Sequence, residues 1–221
     1  RENPALLAVV NEFVGRVYRG LAYNIARNRY FRNKKRIWLA KERRFASSGR
    51  LSPYDALLKK YSERYGLDWR LMAAQAFVES RFDPRAKSWA GAVGVFQMLP
   101  STAREVGFEE LENPEVSIHA GIKYMAGLFA RFDEEIPYRQ RMRFAMASYN
   151  VGYGHVADAR KLAREVGLSP DRWFQNVERA MTLLMQPGYY RKARFGYCRG
   201  SEPVAYVSRI QSLYDAYVKS V

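Results

Sequence analysis

Glu79 is the side chain in this sequence best placed to move a proton. It closes the stretch Ala73-Ala74-Gln75-Ala76-Phe77-Val78-Glu79-Ser80, and on a helix its neighbours at i−4 and i−3 are Gln75 and Ala76. No Lys or Arg stands at those positions to pair with it. The helix is expected to end near Asp83-Pro84, since the residue before a proline is steered out of the α region. Glu79 then lies in the last turn, at the negative end of the helix dipole. Burial and the dipole both favour the neutral acid and raise its pKa toward the range that a general acid needs near neutral pH. The plainer reading is a solvated carboxylate paired with a cation, for which Arg81 is the nearest candidate.

Two other stretches set polar groups among small or apolar residues. Lys87-Ser88-Trp89-Ala90-Gly91-Ala92-Val93-Gly94-Val95-Phe96-Gln97-Met98-Leu99-Pro100 carries the amide of Gln97, with glycines that permit close backbone approach. Ser148-Tyr149-Asn150-Val151-Gly152-Tyr153-Gly154-His155 carries a hydroxyl, a phenol and an amide, with Gly152 and Gly154 expected to break a helix. His119 and His155 are the only histidines and lack the Cys or Asp/Glu spacing of a metal site. The single Cys198 has no partner for an internal disulfide. No metal and no cofactor is expected.

The elements that must position these groups read as helices. No segment shows a convincing period-2 alternation, so the expected fold class is all-α. Residues 1–30 hold Leu6, Val9, Val10, Phe13, Val17 and Leu21 at helical spacing. Ser52 is expected to cap a helix with Pro53 at its first position and Gly66 as its stop, and the Glu79 helix follows. Further helices are expected from Ser101-Thr102, from Asn113-Pro114 to Phe132, over 156–166, over 171–185 and from Pro203 to Val218. Tyr189 to Gly200 reads as a loop rich in Tyr and Arg. Ser47-Ser48-Gly49-Arg50 marks a boundary between a basic helical extension, 1–50, and a domain over 51–221.

Length and composition set the frame. A chain of 221 residues, 48% hydrophobic, can build one good-sized core with an extension. No run approaches 18 consecutive apolar residues, so no membrane-spanning helix is expected. The net charge of +15 is uneven: residues 1–50 hold 13 basic against 3 acidic residues. Such a balance favours an anionic partner, whether nucleic acid, lipid headgroups or an acidic polymer. The run Arg27-Asn28-Arg29-Tyr30-Phe31-Arg32-Asn33-Lys34-Lys35-Arg36 fits such a patch, although a solvated linker explains it more simply. The sequence opens without a signal-peptide pattern, and is expected to begin within a longer protein.

Taken in order, Glu79-Ser80, Gly94-Val95-Phe96-Gln97 and Ser148-Tyr149-Asn150 with Gly152 resemble the lytic transglycosylases of the lysozyme-like superfamily. The family motifs are Glu-Ser, Gly-Leu-Met-Gln and Ala-Tyr-Asn. The chain is most similar to the membrane-bound members, with supporting stretches at Tyr54 to Trp69, Gly154 to Arg160 and Gly196 to Glu202. The likeness spans roughly residues 50–217. It departs at Val95, Phe96 and Ser148, none of which removes a reacting group.

The resemblance implies a lysozyme-like helical domain that cleaves the β-1,4 bond between N-acetylmuramic acid and N-acetylglucosamine without water, leaving 1,6-anhydromuramic acid ends. Glu79 would act as acid and then as base. Ser88 and Gln97 would hold Glu79 or the muramyl group, Tyr149 would contact the N-acetyl group, and Tyr206 would close the pocket. Phe96 and Asn150 join the expected substrate contacts. Tyr206 fits the core equally well, and Asn150 fits a backbone-fixing role at Gly152. Trp89 and Tyr153 suit either sugar stacking or packing. The implied partners are peptidoglycan strands, an anionic membrane surface and an upstream regulatory solute-binding module of which residues 1–50 would be the tail. Nucleic acid is not expected. The implied location is the periplasmic side of a Gram-negative envelope, anchored to the outer membrane in the full-length protein.

Most glycosidases flank the bond with two carboxylates, and no second one is compelling here. Asp83 suits a turn before Pro84, and Glu105, Glu109, Glu110 and Glu112 lie in a polar stretch. Two rivals follow. One is a goose-type lysozyme-like hydrolase on the same fold, in which water attacks. The other is a non-enzymatic basic module that binds an anionic polymer or membrane through residues 27–44.

Overall fold

The structure, a computed structural model, describes residues 4–17 and 50–220. Contacts divide the chain into two units, Arg1–Arg50 and Leu51–Val221. Of the first unit, the described part is helix α1, Pro4–Val17. The basic run at 27–36 and the rest of the helix expected over 1–30 lie outside the described residues.

The second unit is helical, with no named strand among the described residues. Its helices are α2 (Asp55–Arg64), α3 (Trp69–Ser80), α4 (Pro100–Glu105), α5 (Pro114–Phe129), α6 (Tyr138–Val151), α7 (Tyr153–Glu165), α8 (Glu178–Leu183), α9 (Pro187–Tyr190) and α10 (Ser201–Val218). Isolated bridges join Val93 to Lys87 and to Met98 in the loop between α3 and α4.

Helix α3 is the centre of the unit. Leu71, Met72, Ala73, Ala74, Gln75, Ala76 and Phe77 are all buried. A helix covered on every side needs no polar face, and only its ends reach solvent. Asp68 caps its start by accepting from the Arg70 amide at 2.9 Å, and Tyr214 of α10 donates to the same carboxylate at 2.8 Å. At the other end of α3, Tyr206 of α10 meets Glu79. The pairs 68–214 and 79–206 run in opposite order, so α3 and α10 lie antiparallel. Each end of the buried helix is thereby tied to α10 by a polar contact.

Several boundaries differ from the sequence expectation: Gly154 lies inside α7 and breaks no helix, α5 ends at Phe129, α10 starts at Ser201, and Tyr189 and Tyr190 belong to α9. Three further differences have a visible local cause. Helix α2 begins at Asp55 rather than at Pro53, because the Asp55 carboxylate accepts from Ser52 N at 2.7 Å and Ser52 Oγ at 2.6 Å, holding Ser52 outside the helix. Helix α3 stops at Ser80, before Asp83, because Arg81 and Phe82 turn left-handed at φ 57° and 66°. The helix expected over 171–185 is broken: Phe174 is extended and Gln175 left-handed, and α8 starts only at Glu178. Burial of Trp173, whose amide donates to Gln140 Oε1 at 2.9 Å, fixes the chain on the core before that helix can begin.

Close packing shapes the loop facing α3. Gly94 has φ +83°, and a Cβ there would lie 2.1 Å from the Leu111 carbonyl oxygen and 2.6 Å from Ser117 Oγ. Gly94→Ala is therefore expected to cost about 3 kcal/mol from left-handed strain and overpacking. For a domain of this size thermal melting would fall by roughly 6–12 °C. An unchanged melting temperature would show that the loop can move off Leu111.

Candidate active site

Glu79 lies in the last turn of the buried helix, where one of its two ends reaches solvent. The residue is partly exposed, yet its carboxyl lies deep enough for burial to push the pKa from 4.5 up to about 7. A hydrogen bond from Tyr206 Oη to Oε1, at 2.5 Å, works the other way by favouring the ionised form. No other charged group shifts it: no second carboxylate raises its pKa and no cation lowers it. The pairing with Arg81 is not formed among the described residues. Arg81 is exposed, and its amide donates to Phe77 O at 2.9 Å as the left-handed cap of the helix.

That cap is a local device for presenting the acid. Two successive non-glycine residues in the left-handed region cost about 1–2 kcal/mol each. The cost is offset by Phe82, which is buried and packs on Phe77 with ring centroids 5.6 Å apart. Backbone strain held by good packing is the arrangement expected where geometry matters to function.

The neighbouring loop is stapled from several sides. Ser80 Oγ donates to Val95 O at 2.8 Å, fixing the loop to the residue after Glu79. Gln97, left-handed at φ 46°, donates its amide to Ala86 O at 2.9 Å and Gly94 O at 3.0 Å. Ser88 Oγ accepts from Ala92 N at 3.0 Å. Ser88 and Gln97 therefore build the loop, and neither is a hydrogen-bond partner of Glu79 among the described residues. The part of the expectation in which they hold Glu79 passes to Tyr206.

Tyr149, in the last turn of α6, donates to Phe96 O at 2.8 Å and meets Tyr124 edge-on with centroids 5.4 Å apart. Burial, then the adjacent Glu79, pushes the phenols of Tyr149 and Tyr206 far above the ordinary value. Both remain protonated donors at neutral pH. Phe96 is fully buried, with its ring over Gly121. It can offer its carbonyl but not its ring, so the expected substrate contact by the Phe96 side chain is corrected. Asn150 is exposed at the end of α6.

The ambiguous aromatics divide cleanly. Tyr153 packs on Phe132, centroids 5.4 Å apart, with Arg131 over its ring at 5.2 Å. Trp89 is 100% exposed. His119 stacks on Tyr61 at 4.1 Å and shares a 2.9 Å hydrogen bond with Tyr65. Asp83 accepts from Arg85 N at 2.9 Å, the turn role read from its place before Pro84. A surface concavity of about 610 Å³ is lined by Val93, Ala103, Phe108, Glu110 and Leu111, and Glu79 is not among its walls.

Sequence reasoning missed the direct Tyr206–Glu79 bond, the Ser80 staple and Asp158, whose carboxylate accepts from Phe195 N at 2.7 Å. Tyr206 lies far along the chain from Glu79, and nothing in the spacing pairs them. Asp158 was findable as a lone acid between Val156 and Ala159 on the buried face of α7.

Known proteins resemble this chain in sequence and in fold. A family model described as the Transglycosylase SLT domain matches residues 56–169. The chain is 42% identical over 195 residues to a membrane-bound lytic murein transglycosylase F of Shewanella loihica, covering 86% of this chain and 40% of that protein. A protein of the same name from Marinobacter nauticus is 43% identical over 170 residues, covering 77% and 34%. The chain thus spans between about a third and two fifths of the length of these relatives. The 70 kDa soluble lytic transglycosylase of Escherichia coli superposes with a TM-score of 0.56 at 26% identity, over 82% of this chain and 26% of that one. The lytic transglycosylase Slt of Pseudomonas aeruginosa, in an inactive mutant, gives 0.54 at 22% identity, over 76% and 24%. The fold is the all-α, lysozyme-like fold of these enzymes. With the matched segment running from α2 through α7 and carrying Glu79, Gln97 and Tyr149, the chain belongs to the Transglycosylase SLT domain family.

Proposed function

We propose that the unit Leu51–Val221 is a peptidoglycan lytic transglycosylase, a lyase that uses Glu79 twice. The observation that carries this reading is a lone carboxyl held near pH 7 by burial and one phenol, with no second carboxylate acting on it. Protonated Glu79 gives its proton to the glycosidic oxygen between N-acetylmuramic acid and N-acetylglucosamine, and the bond to the anomeric carbon breaks. The carbonyl oxygen of the substrate's own N-acetyl group stabilises that carbon. The Glu79 carboxylate then takes the proton of the 6-hydroxyl, whose oxygen bonds to the anomeric carbon and closes the 1,6-anhydro ring.

The two influences on Glu79 serve opposite halves of this cycle. Burial favours the acid form needed to donate, and the Tyr206 hydrogen bond supports the carboxylate left behind. A pKa near ambient pH is the compromise expected of a group that must do both. Tyr149 is the proposed contact for the N-acetyl group, Ser88 and Gln97 the proposed wall against the muramyl group, and exposed Asn150 a proposed further substrate contact. Residues 1–50 are proposed as the connector from an upstream module. The setting is the bacterial cell envelope, on its periplasmic side, with the full-length protein held at the outer membrane. Among the described residues no helix is long and apolar enough to cross a membrane.

Digestion of purified murein followed by mass spectrometry tests the reading. The expected products end in 1,6-anhydromuramic acid. Reducing-end products heavier by one water would instead make the protein a goose-type lysozyme-like hydrolase, and no digestion at all would leave the basic-module reading.

A further inference from the structure

Between α9 and α10 the chain runs Arg191-Lys192-Ala193-Arg194-Phe195-Gly196-Tyr197-Cys198-Arg199, with four basic residues and no acidic one. All four cations are exposed. Arg199 pairs with Glu202 at 2.9 Å, while Arg191, Lys192 and Arg194 form no ion pair among the described residues. A charge run of this kind is ordinarily a mobile, solvated face. This one is anchored. Asp158, only 8% exposed, accepts from Phe195 N at 2.7 Å and Arg194 N at 3.3 Å. The Phe195 ring lies so close to Gly154 that a Cβ there would come within 2.6 Å of it. Tyr190 and Tyr197 meet edge-on, centroids 5.6 Å apart, and the Cys198 amide reaches Leu184 O at 3.4 Å. Burying a carboxylate is costly unless it is fully hydrogen-bonded. Here one is spent on fixing the backbone from beneath while the cations point outward.

We propose that this loop is a subsite for the carboxylate-bearing peptide stems carried by the muramyl residues of the strand cleaved at Glu79, an assignment that rests on the lyase reading. Guanidinium groups match carboxylates with two parallel hydrogen bonds, and a fixed backbone presents them without a large ordering cost. The loop leads directly into α10, whose Tyr206 holds the catalytic carboxyl, so stem and glycan contacts are joined by one rigid element. An anionic lipid surface would also attract the cations, but a fluid surface has no need of a loop pinned at its backbone.

The test compares native murein with murein whose carboxylates have been amidated, using the wild type and a triple variant, Arg191→Gln, Lys192→Gln and Arg194→Gln. Cosedimentation and turnover are both read, so that absent turnover, which would sink the lyase reading, leaves the binding comparison intact. On native murein the variant is expected to need about tenfold more substrate for half-saturation, the sum of three exposed charge pairs. Amidation should cost the wild type a similar factor and the variant almost nothing. Equal losses for the variant on both substrates, or none on native murein, would overturn the proposal. So would a variant that loses binding to vesicles of anionic phospholipid while its behaviour on murein is unchanged.

Discussion

Glu79→Gln is expected to lower murein turnover by about 10³-fold or more while making the folded protein more stable at alkaline pH. The first effect follows from losing the proton donor, since positioned acids and bases contribute about 10²–10⁴-fold. The second follows from linkage. The folded-state pKa of about 7 stands above the ordinary 4.5, because burial penalises the charged form. The folded protein therefore binds the proton more tightly than the unfolded chain. This contribution to stability is complete below about pH 4.5 and is lost as pH rises through 7. A full shift of this size corresponds to about 3 kcal/mol, and partial solvent access to the site lowers the expectation to about 2 kcal/mol. Gln carries no charge at any pH, so the variant should melt roughly 4–8 °C above the wild type at pH 8. The two should converge at pH 4. Thermal melting across that range checks the sign, and a variant less stable than wild type at pH 8 would contradict it.

Tyr206→Phe is expected to move the alkaline limb of kcat/KM upward, from about pH 7 toward pH 8, and to lower kcat by about 10–100-fold. Tyr206 donates to the Glu79 carboxyl and favours its ionised form. Hydrogen bonds to charged groups contribute about 1.5–3 kcal/mol, and one pKa unit is about 1.4 kcal/mol. Without the hydroxyl, burial acts alone, so the acid stays protonated to higher pH. The carboxylate that must retrieve the 6-hydroxyl proton is then less well supported, which is why kcat falls although the acid form persists. A residue that only filled the core would leave the pH profile where it was. A limb that moved downward would reverse the sign assigned to the hydrogen bond.

The sequence made the helical class and the acid legible for local reasons. Helical spacing around Leu71 and Ala74, with no cation at i−3 or i−4 of Glu79, carried both. What it hid were contacts between distant segments. Tyr206 read equally as core or site, and in the fold it is buried, 7% exposed, with its hydroxyl bonded to Glu79. Gln97 and Ser88 were expected to hold Glu79 or the muramyl group, and in the fold both bond within their own loop, because an amide or hydroxyl in a tight turn satisfies the loop's own backbone first. Phe96 shows the same limit for shape: nothing local says that Gly121 leaves room for its ring. The early end of α3 was hidden too, since no propensity places Arg81 and Phe82 in the left-handed region. Burial of Phe82 against Phe77 decides it.

An NMR titration of the Glu79 carboxyl carbon, assigned by comparison with Glu79→Gln, reads the protonation of this acid directly. A midpoint near pH 7 is expected, moving higher in Tyr206→Phe. A midpoint at or below the ordinary value of 4.5 would mean that Glu79 is ionised throughout the neutral range, and it would remove the proton on which the first step depends.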